Sequence, residues 1–469
     1  NFYENMSRFL CFCFIIIIIL SSNDNINSYI GQYPSVVPGL NGKSIFGLYN
    51  AAQGLGTIFC DDTKCDNPSK RLSGCNIELI STSMMNTSYI NWNTSIHYIG
   101  VYSSRIASSS SYSINYVVCY DQNCDSNYTI QIDHADEIIG YTTAISYYNT
   151  SHNSILPMIA YTRDNAASNA LEINLVVCGN ILCQYYIGKN SYSKSPIPVL
   201  NLYNKTDKDD ITGNAVAKGQ IGLARIPWKQ FNPKPGTPPV SGIMVTYTKY
   251  WRIPVNNDTV YFPYLTVSVG NITGGGSPGA YFQWINHTRF NQMSNYPISL
   301  KMLPYIQPNP TNPHPIAYAI AYSNGTSLFI KNCVVPPKNY GYNICTQPQD
   351  SNVTISNVNG TTFQSISNVQ LGISIDGSHT IAFIANSSYI FILKCKDKNC
   401  TNLDLFTIQN NSNFTTSSMQ LSLAMLSNQP FQTALMYSIT TTQDSYKALG
   451  YYYCQHPGCQ YDTANHTID

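Results

Sequence analysis

The residues of this chain whose types and spacing could do chemistry are its cysteines. The 469 residues include 15 cysteines, of which thirteen follow an apolar N-terminal segment. Twelve of these form local pairs: Cys60 with Cys65, Cys119 with Cys124, Cys178 with Cys183, Cys395 with Cys400 and Cys454 with Cys459 at C-x4-C spacing, and Cys333 with Cys345 across a longer loop. Each pair lies where one expected strand ends and the next begins, so its side chains face each other at a separation that a disulfide can span. Each closed loop would add about 2 kcal/mol of stability by the chain-entropy estimate.

The alternative is that such cysteine pairs bind zinc. A closed tetrahedral site needs four ligands, whereas neighbouring pairs are about 60 residues apart in sequence with few histidines nearby. Seven of the eight histidines are scattered without metal-like spacing, at His97, His134, His287, His314, His379, His456 and His466. We therefore favour disulfides and predict no metal or cofactor. Cys75 is left over, and it is open whether it is a buried thiol, an exchange partner for Cys60 or Cys65, or a cross-link to another chain.

The acidic residues and the known nucleophile motifs are the candidates for catalysis. A glycosidase needs a pair of carboxylates that converge on the scissile bond, but the acidic residues sit mainly in turns, as do Asp61, Asp62, Asp121 and Asp376. The chain also lacks a G-x-S-x-G elbow, an H-E-x-x-H motif and a phosphate loop. From this the sequence predicts no catalytic residues and a protein that is not an enzyme.

Composition and the N-terminal segment bear on partners and location. Only 10% of the residues are charged and the net charge is +1, so no basic surface is available for nucleic acid. Phe9 to Leu20 is a run of twelve apolar residues between Arg8 and a polar stretch, which is typical of a secretory signal and too short to cross a bilayer. We expect residues 1–22 to be a leader and signal peptide, cleaved near Ser21 or Ser22, and the remaining chain to be secreted or at the cell surface without a membrane span.

Sixteen N-x-S/T sequons follow the signal and are expected in turns rather than strands. They are Asn86, Asn93, Asn127, Asn149, Asn204, Asn257, Asn271, Asn286, Asn324, Asn352, Asn359, Asn386, Asn399, Asn410, Asn413 and Asn465. An Asn-rich chain yields many sequons by accident, yet their spread predicts an N-glycosylated surface with glycans in place of charges.

The elements that must position the cysteines form a repeat. The stretch from Leu371 to Ile408 contains four short apolar runs, LGISI, TIAFIA, YIFILKC and LDLFTI, separated by turns. An aliphatic-aromatic run recurs seven times, ending at Tyr49, Tyr102, Tyr161, Tyr247, Tyr322, Phe383 and Tyr437. Several first cysteines are 59 residues apart. Seven units of four strands predict an all-β fold, a seven-bladed β-propeller spanning residues 23–469.

The fourth unit, about 184–295, departs from this pattern. GNITGGGSPG replaces its cysteine turn, and two insertions flank its strands, Ser191 to Gly219 and the Pro-rich Phe231 to Gly242. Insertions in repeat proteins map to surface loops, which are either tolerated or used for binding. Trp228 and Trp251 flank the Pro-rich insertion and mark the surface where a partner is expected.

The unit SIDGSHTIAFIANSSYIFILKCKDKNCT resembles the cysteine-containing propeller repeats of secreted bacterial and protist proteins, in which a D-G turn and a K-C-x4-C-T turn recur. This resemblance implies a fold and no particular activity. We hypothesise a structural propeller that assembles with itself into an extracellular filament, appendage or coat. A carbohydrate-binding lectin or adhesin is the alternative, and a propeller glycosidase comes third.

Overall fold

The fold consists of β-strands. A computed structural model describes residues 32–38, 44–51, 54–72, 77–85, 96–106, 111–135, 139–149, 154–165, 170–184, 186–187, 192–193, 221–226, 241–255, 258–273, 281–292, 300–304, 316–334, 351–374, 378–386, 389–397, 399–408, 414–415, 421–426, 432–441, 447–454 and 464–468. All the regular secondary structure in these ranges is β-strand, which confirms the all-β class. Within the same ranges we find no helix with the length and apolarity to cross a membrane.

The strands form seven larger antiparallel sheets, taken over the described residues. Sheet 1 contains β1 (Gln32–Pro38), β2 (Ile45–Ala51), β3 (Gly54–Cys60) and β4 (Ser69–Leu72). Sheet 2 contains β5 (Ile77–Met85), β6 (Tyr98–Ile106), β7 (Tyr112–Cys119) and β8 (Asn127–Ala135). Sheet 3 contains β9 (Ile139–Asn149), β10 (Ser154–Asn165) and β11 (Ala170–Val177), next to a short pair, β12 (Tyr186–Ile187) and β13 (Tyr192–Ser193).

The strands of the later sheets are also arranged in sequence order. Sheet 4 contains β14 (Gly222–Ile226), β15 (Ser241–Val255), β16 (Asp258–Thr273) and β17 (Tyr281–Gln292). Sheet 5 contains β18 (Leu300–Pro304), β19 (Ile316–Ser323), β20 (Leu328–Val334) and β21 (Ser351–Ile355), followed by the short pair β22 (Asn357–Val358) and β23 (Thr361–Thr362). Sheet 6 contains β24 (Ser367–Ile373), β25 (His379–Ala385), β26 (Tyr389–Cys395) and β27 (Leu403–Ile408). Sheet 7 contains β28 (Phe414–Thr415), β29 (Leu421–Met425), β30 (Thr433–Thr441), β31 (Lys447–Cys454) and β32 (Ala464–Ile468).

The four strands expected in the sixth unit are confirmed as sheet 6, with the first strand starting at Ser367 instead of Leu371. All seven residues of β25 are buried, as are six of the seven in β26. A strand whose residues are buried throughout, without alternation, is covered on both faces. The middle strands of sheet 6 therefore lie between two neighbouring sheets.

The core consists of apolar layers between successive sheets. Buried side chains of sheet 1 pack with those of sheet 2, and sheet 2 packs with sheet 3. Sheet 5 packs with sheet 6, and sheet 6 with sheet 7. The last layer joins sheet 7 to sheet 1, because Ile45 and Ile58 of sheet 1 share a cluster with Met436 and Tyr451 of sheet 7. Each of these six sheets thus depends on a neighbour for burial of a face.

The first long strands of the seven sheets contact one another in cyclic order. The contacts run from β1 to β5, β9, β14, β18, β24 and β29, and from β29 back to β1. Serine side chains join neighbours in this series: the backbone N–H of Val36 donates to Ser422 Oγ at 2.9 Å, and that of Met84 donates to Ser35 Oγ at 3.0 Å. The first of these bonds spans 386 residues of sequence and ties the last sheet to the first.

At two equivalent places a tyrosine ring lies over a glycine on the neighbouring strand. Gly450 pairs with Tyr437, and Gly56 pairs with Tyr49. A Cβ atom added to Gly450 would lie 2.3 Å from the Tyr437 ring, and one added to Gly56 would lie 2.5 Å from the Tyr49 ring. The ring fills the space above the missing side chain, so any larger residue would displace it.

Candidate functional site

The C-x4-C loops have one shared geometry wherever the structure describes them. Disulfides join Cys60 to Cys65, Cys119 to Cys124, Cys178 to Cys183 and Cys395 to Cys400, with Cα–Cα distances of 4.6–4.9 Å. These four predicted pairs are confirmed. In each, the second cysteine has a positive φ of 52–59°, a conformation that most non-glycine residues avoid and that the cross-link here holds in place.

The second residue after the first cysteine closes each loop with its side chain. Asp62 accepts from the Cys65 backbone N–H at 2.8 Å, and Asn180 accepts from the Gln184 N–H at 2.9 Å. Asp121 and Asp397 accept from several later N–H groups of their loops. The turn positions expected for Asp62 and Asp121 are therefore confirmed, and their carboxylates serve the backbone.

Asp397 shows the electrostatic effect of this role. Slight desolvation raises its pKa, but donation by the side-chain hydroxyl and backbone N–H of Thr401 and by the N–H groups of Asn402 and Asn399 outweighs it, so the pKa is lowered. A carboxylate that accepts several hydrogen bonds stays ionised at neutral pH. It is thus a structural acceptor of the loop.

The other cysteine predictions have mixed outcomes. Cys333 and Cys454 are disulfide-bonded, while their expected partners Cys345 and Cys459 lie outside the described residues. Cys75 also lies outside the described residues, so its three alternatives stay open.

Two tyrosines use these loops to join neighbouring sheets. The Tyr116 hydroxyl in β7 donates to the Ile181 carbonyl in the disulfide loop of sheet 3, at 2.5 Å. The Tyr451 hydroxyl in β31 donates in the same way to the Thr63 carbonyl in the loop of sheet 1, at 2.5 Å. Each tyrosine is three residues before the first cysteine of its own sheet, and each acceptor is three residues after the first cysteine of the next. The second bond again connects the last sheet to the first.

A third tyrosine joins sheets 2 and 3 through charged partners. The Tyr161 hydroxyl donates to Asp133 Oδ2 at 2.6 Å, and Arg163 Nη1 lies 3.6 Å from the same oxygen. Tyr161 has no exposed surface, and burial, followed by the Asp133 charge, raises its pKa well above the usual value. A phenol that is buried and held neutral cannot reach a substrate, so this group is an inter-sheet contact.

Sheet 6 places basic side chains beside sulfur atoms on both of its faces. His379 Nδ1 lies 3.8 Å from Cys400 Sγ, and Lys394 Nζ lies 3.2 Å from Cys454 Sγ of sheet 7. Burial lowers the pKa of Lys394 to about 8, against an opposing effect of Asp404. The expectation that the histidines lie apart from possible metal ligands is therefore wrong for His379. The register of the TIAFIA and YIFILKC strands could have predicted this contact from the sequence. When Thr380 pairs with Lys394, His379 comes to lie opposite Cys395.

Sheet 4 contains the longest strands, and they extend beyond their neighbours. β15 pairs with β14 only from Gly242 to Thr246, and β16 pairs with β17 from Tyr264 onward. Within the described residues, 250–255 of β15 and 258–263 of β16 pair with each other and with no third strand. We call this two-stranded projection the sheet 4 ribbon.

The ribbon contains one of the two tryptophans expected at a partner surface. Trp251 pairs with Phe262 and Ile253 pairs with Val260 in the strand register. Arg252 pairs with Tyr261 at the position between these two pairs. Trp228 lies outside the described residues, as does nearly all of both insertions.

The sequons occupy strands as well as turns. Asn127, Asn149, Asn271, Asn286, Asn352 and Asn465 lie within strands, so the expectation that sequons sit in turns is wrong for these six. Asn324, Asn359, Asn386 and Asn399 lie between strands, as expected. Asn86, Asn93, Asn204, Asn257, Asn410 and Asn413 lie outside the described residues. A sequon in a strand still permits a glycan when the residue is exposed, as Asn127 and Asn352 are.

Comparison with known proteins gives no family. No family model matches the chain, and no curated protein matches it. Among solved structures the chain is similar to a mutant of the NanB sialidase from Streptococcus pneumoniae, with 9% identity, a TM-score of 0.33 and coverage of 91% of this chain and 84% of that one. It is also similar to the β-propeller domain of the Trilobed protease from Pyrococcus furiosus, with 7% identity, a TM-score of 0.37 and coverage of 93% of this chain and 96% of that one. A third similar structure is the intramolecular trans-sialidase from Ruminococcus gnavus in complex with oseltamivir carboxylate, with 10% identity, a TM-score of 0.28 and coverage of 95% of this chain and 86% of that one.

These similarities correct one prediction. The chain was expected not to be an enzyme, and that exclusion is withdrawn, because sialidases are among the solved structures to which the chain is similar. At such identities and TM-scores no activity is transferred to this chain.

Proposed function

We propose that the chain is a secreted, N-glycosylated, seven-bladed β-propeller that acts as an extracellular scaffold and associates with copies of itself. Each of the seven sheets would be one blade. The cyclic contacts of the first strands, the Ser422 bond to Val36 and the Tyr451 bond to Thr63 support a ring in which the last blade meets the first.

Secretion is supported by the oxidised cysteine loops. Disulfides persist in oxidising compartments, and the four described C-x4-C loops are all closed. Exposed sequon residues such as Asn127, Asn352 and Asn359 are consistent with glycans on this surface. The resemblance to cysteine-containing propeller repeats agrees with both features and stays a prediction.

The observation that carries the proposed self-association is the sheet 4 ribbon. Among the described residues this ribbon pairs with no third strand, and an unpaired strand edge offers backbone hydrogen bonds to another chain. Its register pairs Trp251 with Phe262 and Ile253 with Val260, all of them apolar residues. A second copy of the same ribbon offers a matching edge and the same apolar pairs, so the contact is self-complementary.

The test is the oligomeric state of the secreted, glycosylated chain. Size-exclusion chromatography with light scattering should show assemblies for the unaltered protein, and electron microscopy should show whether they are filaments. Replacing Trp251 and Phe262 by serine should convert the assemblies to monomers. The matched control replaces Arg252 and Tyr261, the register pair between Trp251–Phe262 and Ile253–Val260, and it should leave the assemblies in place.

Other outcomes favour the other functions. An unaltered protein that is monomeric at all concentrations would contradict self-association. A monomer that binds a glycan array would favour the lectin hypothesis, and one that releases sugar from a fluorogenic glycoside would favour a glycosidase.

A further inference from the structure

Sheet 6 differs from the other cysteine-containing sheets in the residue that faces its disulfide. His379 lies opposite Cys395 in the β25–β26 pair, one step beyond Thr380 and Lys394. The equivalent residue is Ile45 opposite Cys60 in sheet 1 and Tyr98 opposite Cys119 in sheet 2. Pro157 in sheet 3, Tyr318 in sheet 5 and Thr433 in sheet 7 hold the same position opposite Cys178, Cys333 and Cys454.

The distances in sheet 6 suit a metal ion. The Nδ1 or Nε2 atom of His379 and the Sγ atoms of Cys395 and Cys400 all lie within 4.8 Å of one another. The separation from His379 Nδ1 to Cys400 Sγ is 3.8 Å. Zinc bonds of about 2.3 Å to sulfur and 2.0 Å to nitrogen, at tetrahedral angles, place sulfur and nitrogen about 3.5 Å apart. Small side-chain movements would therefore bring all three groups into ligand positions.

We propose that this group is a redox-gated site for a soft divalent cation, with Zn²⁺ as the preferred ion. A dithiol reductant transfers two electrons and two protons to the Cys395–Cys400 bond, which breaks to give two thiols while the reductant becomes a disulfide. Both thiols then lose their protons to the solvent as the metal binds. The two thiolates and one nitrogen of His379 supply three ligands, and a water or thiol from solution supplies the fourth.

Burial favours this ligand set over a charged one. His379, Cys395 and Cys400 are 1%, 1% and 3% exposed. Two thiolates and a neutral imidazole cancel the charge of a divalent cation, so the occupied site adds no net charge to the interior. The C-x4-C spacing also lies within the range of cysteine pairs in structural zinc sites. Oxidation of the pair would then expel the metal, and bound metal would slow the closing of the disulfide.

The experiment uses the full secreted chain, reduced with a phosphine that does not bind metal, without oxygen. Co²⁺ is added as a spectroscopic probe, because a thiolate ligand produces a charge-transfer absorption, and Zn²⁺ is then added to displace it. We expect one tightly bound metal per chain after reduction and none before it. Circular dichroism of the same samples reports whether the strands persist.

Three variants separate this site from other thiols in the reduced chain. His379→Gln should weaken the tight binding at least about tenfold. His134→Gln, an exposed histidine of sheet 2, should leave it unchanged. Tyr98→His places a histidine opposite Cys119 and should add a second tight equivalent.

The proposal is overturned if His379→Gln binds metal as tightly as the unaltered chain. It is equally overturned if the reduced unaltered chain, whether folded or unfolded, binds no metal with thiolate absorption.

Discussion

Replacing Tyr451 by phenylalanine tests whether the first and last sheets are tied through a disulfide loop. The substitution removes the hydroxyl that donates to the Thr63 carbonyl and leaves the ring in its buried position. Burial raises the pKa of Tyr451 well above its usual value, so the hydroxyl is a donor throughout the neutral range. No other atom is removed, so the change acts at the hydroxyl group alone.

The magnitude follows from the surroundings of the acceptor. A buried hydrogen bond contributes about 1 kcal/mol net, and an acceptor left fully buried would cost up to about 3 kcal/mol. Thr63 is half-buried, so water can replace part of the lost bond. We therefore expect a loss of about 1 kcal/mol, which corresponds to about a fivefold increase in the equilibrium constant for local opening.

Amide hydrogen exchange is the appropriate assay, because it reports opening of individual strands. Tyr451→Phe should raise exchange in β1 and β29, the strands through which sheet 1 contacts sheet 7. Tyr116→Phe is the matched control, since it removes the equivalent bond to Ile181 between sheets 2 and 3. There the chain continues from one sheet into the next, so exchange should rise only locally, in β7 and the loop of sheet 3.

Two results would refute the reasoning. Unchanged exchange in β1 and β29 would show that the bond contributes nothing to the joint. Equal and global increases in both variants would show that the two joints are not distinct.

Three further predictions concern the core and the loops. Gly450→Ala should lower the free energy of unfolding by about 1–3 kcal/mol in denaturant titrations, because the new Cβ overlaps the Tyr437 ring. Replacing Cys119 and Cys124 together by alanine should cost about 2 kcal/mol in the same titration, and a much larger loss would mean that the loop itself stabilises sheet 2. Burial lowers the pKa of Lys394 to about 8 from 10.5, so between these values the unfolded chain binds more protons and stability should rise with pH above 8. Lys394→Met should abolish that rise in melting experiments between pH 7 and 9.5, and an unchanged slope would assign it to another group.

Much of the local structure could be predicted from residue order. The four apolar runs of the sixth unit became β24–β27, and the C-x4-C spacing identified four disulfides, because both depend on residues close together in sequence. The placement of sequons was less well predicted. A sequon is a three-residue pattern with no preference for backbone conformation, so Asn271 and Asn286 lie in strands.

The contacts between sheets could not be predicted. Nothing in the sequence marks Tyr451 as the partner of Thr63 or Ser422 as the partner of Val36, because such pairs depend on which sheets become neighbours. The position of His379 beside Cys400 likewise depends on strand register combined with the loop geometry.

The sequence by itself therefore determined the strand repeats, the local disulfides and the low surface charge, all of which follow from composition and short-range spacing. Only the tertiary structure decided the cyclic order of the sheets, the projection of the sheet 4 ribbon and the histidine beside a disulfide. The physical reason is that apolar strands will pack against any complementary neighbour, whereas the pairing of hydroxyls, carbonyls and imidazoles requires the three-dimensional arrangement to be set first.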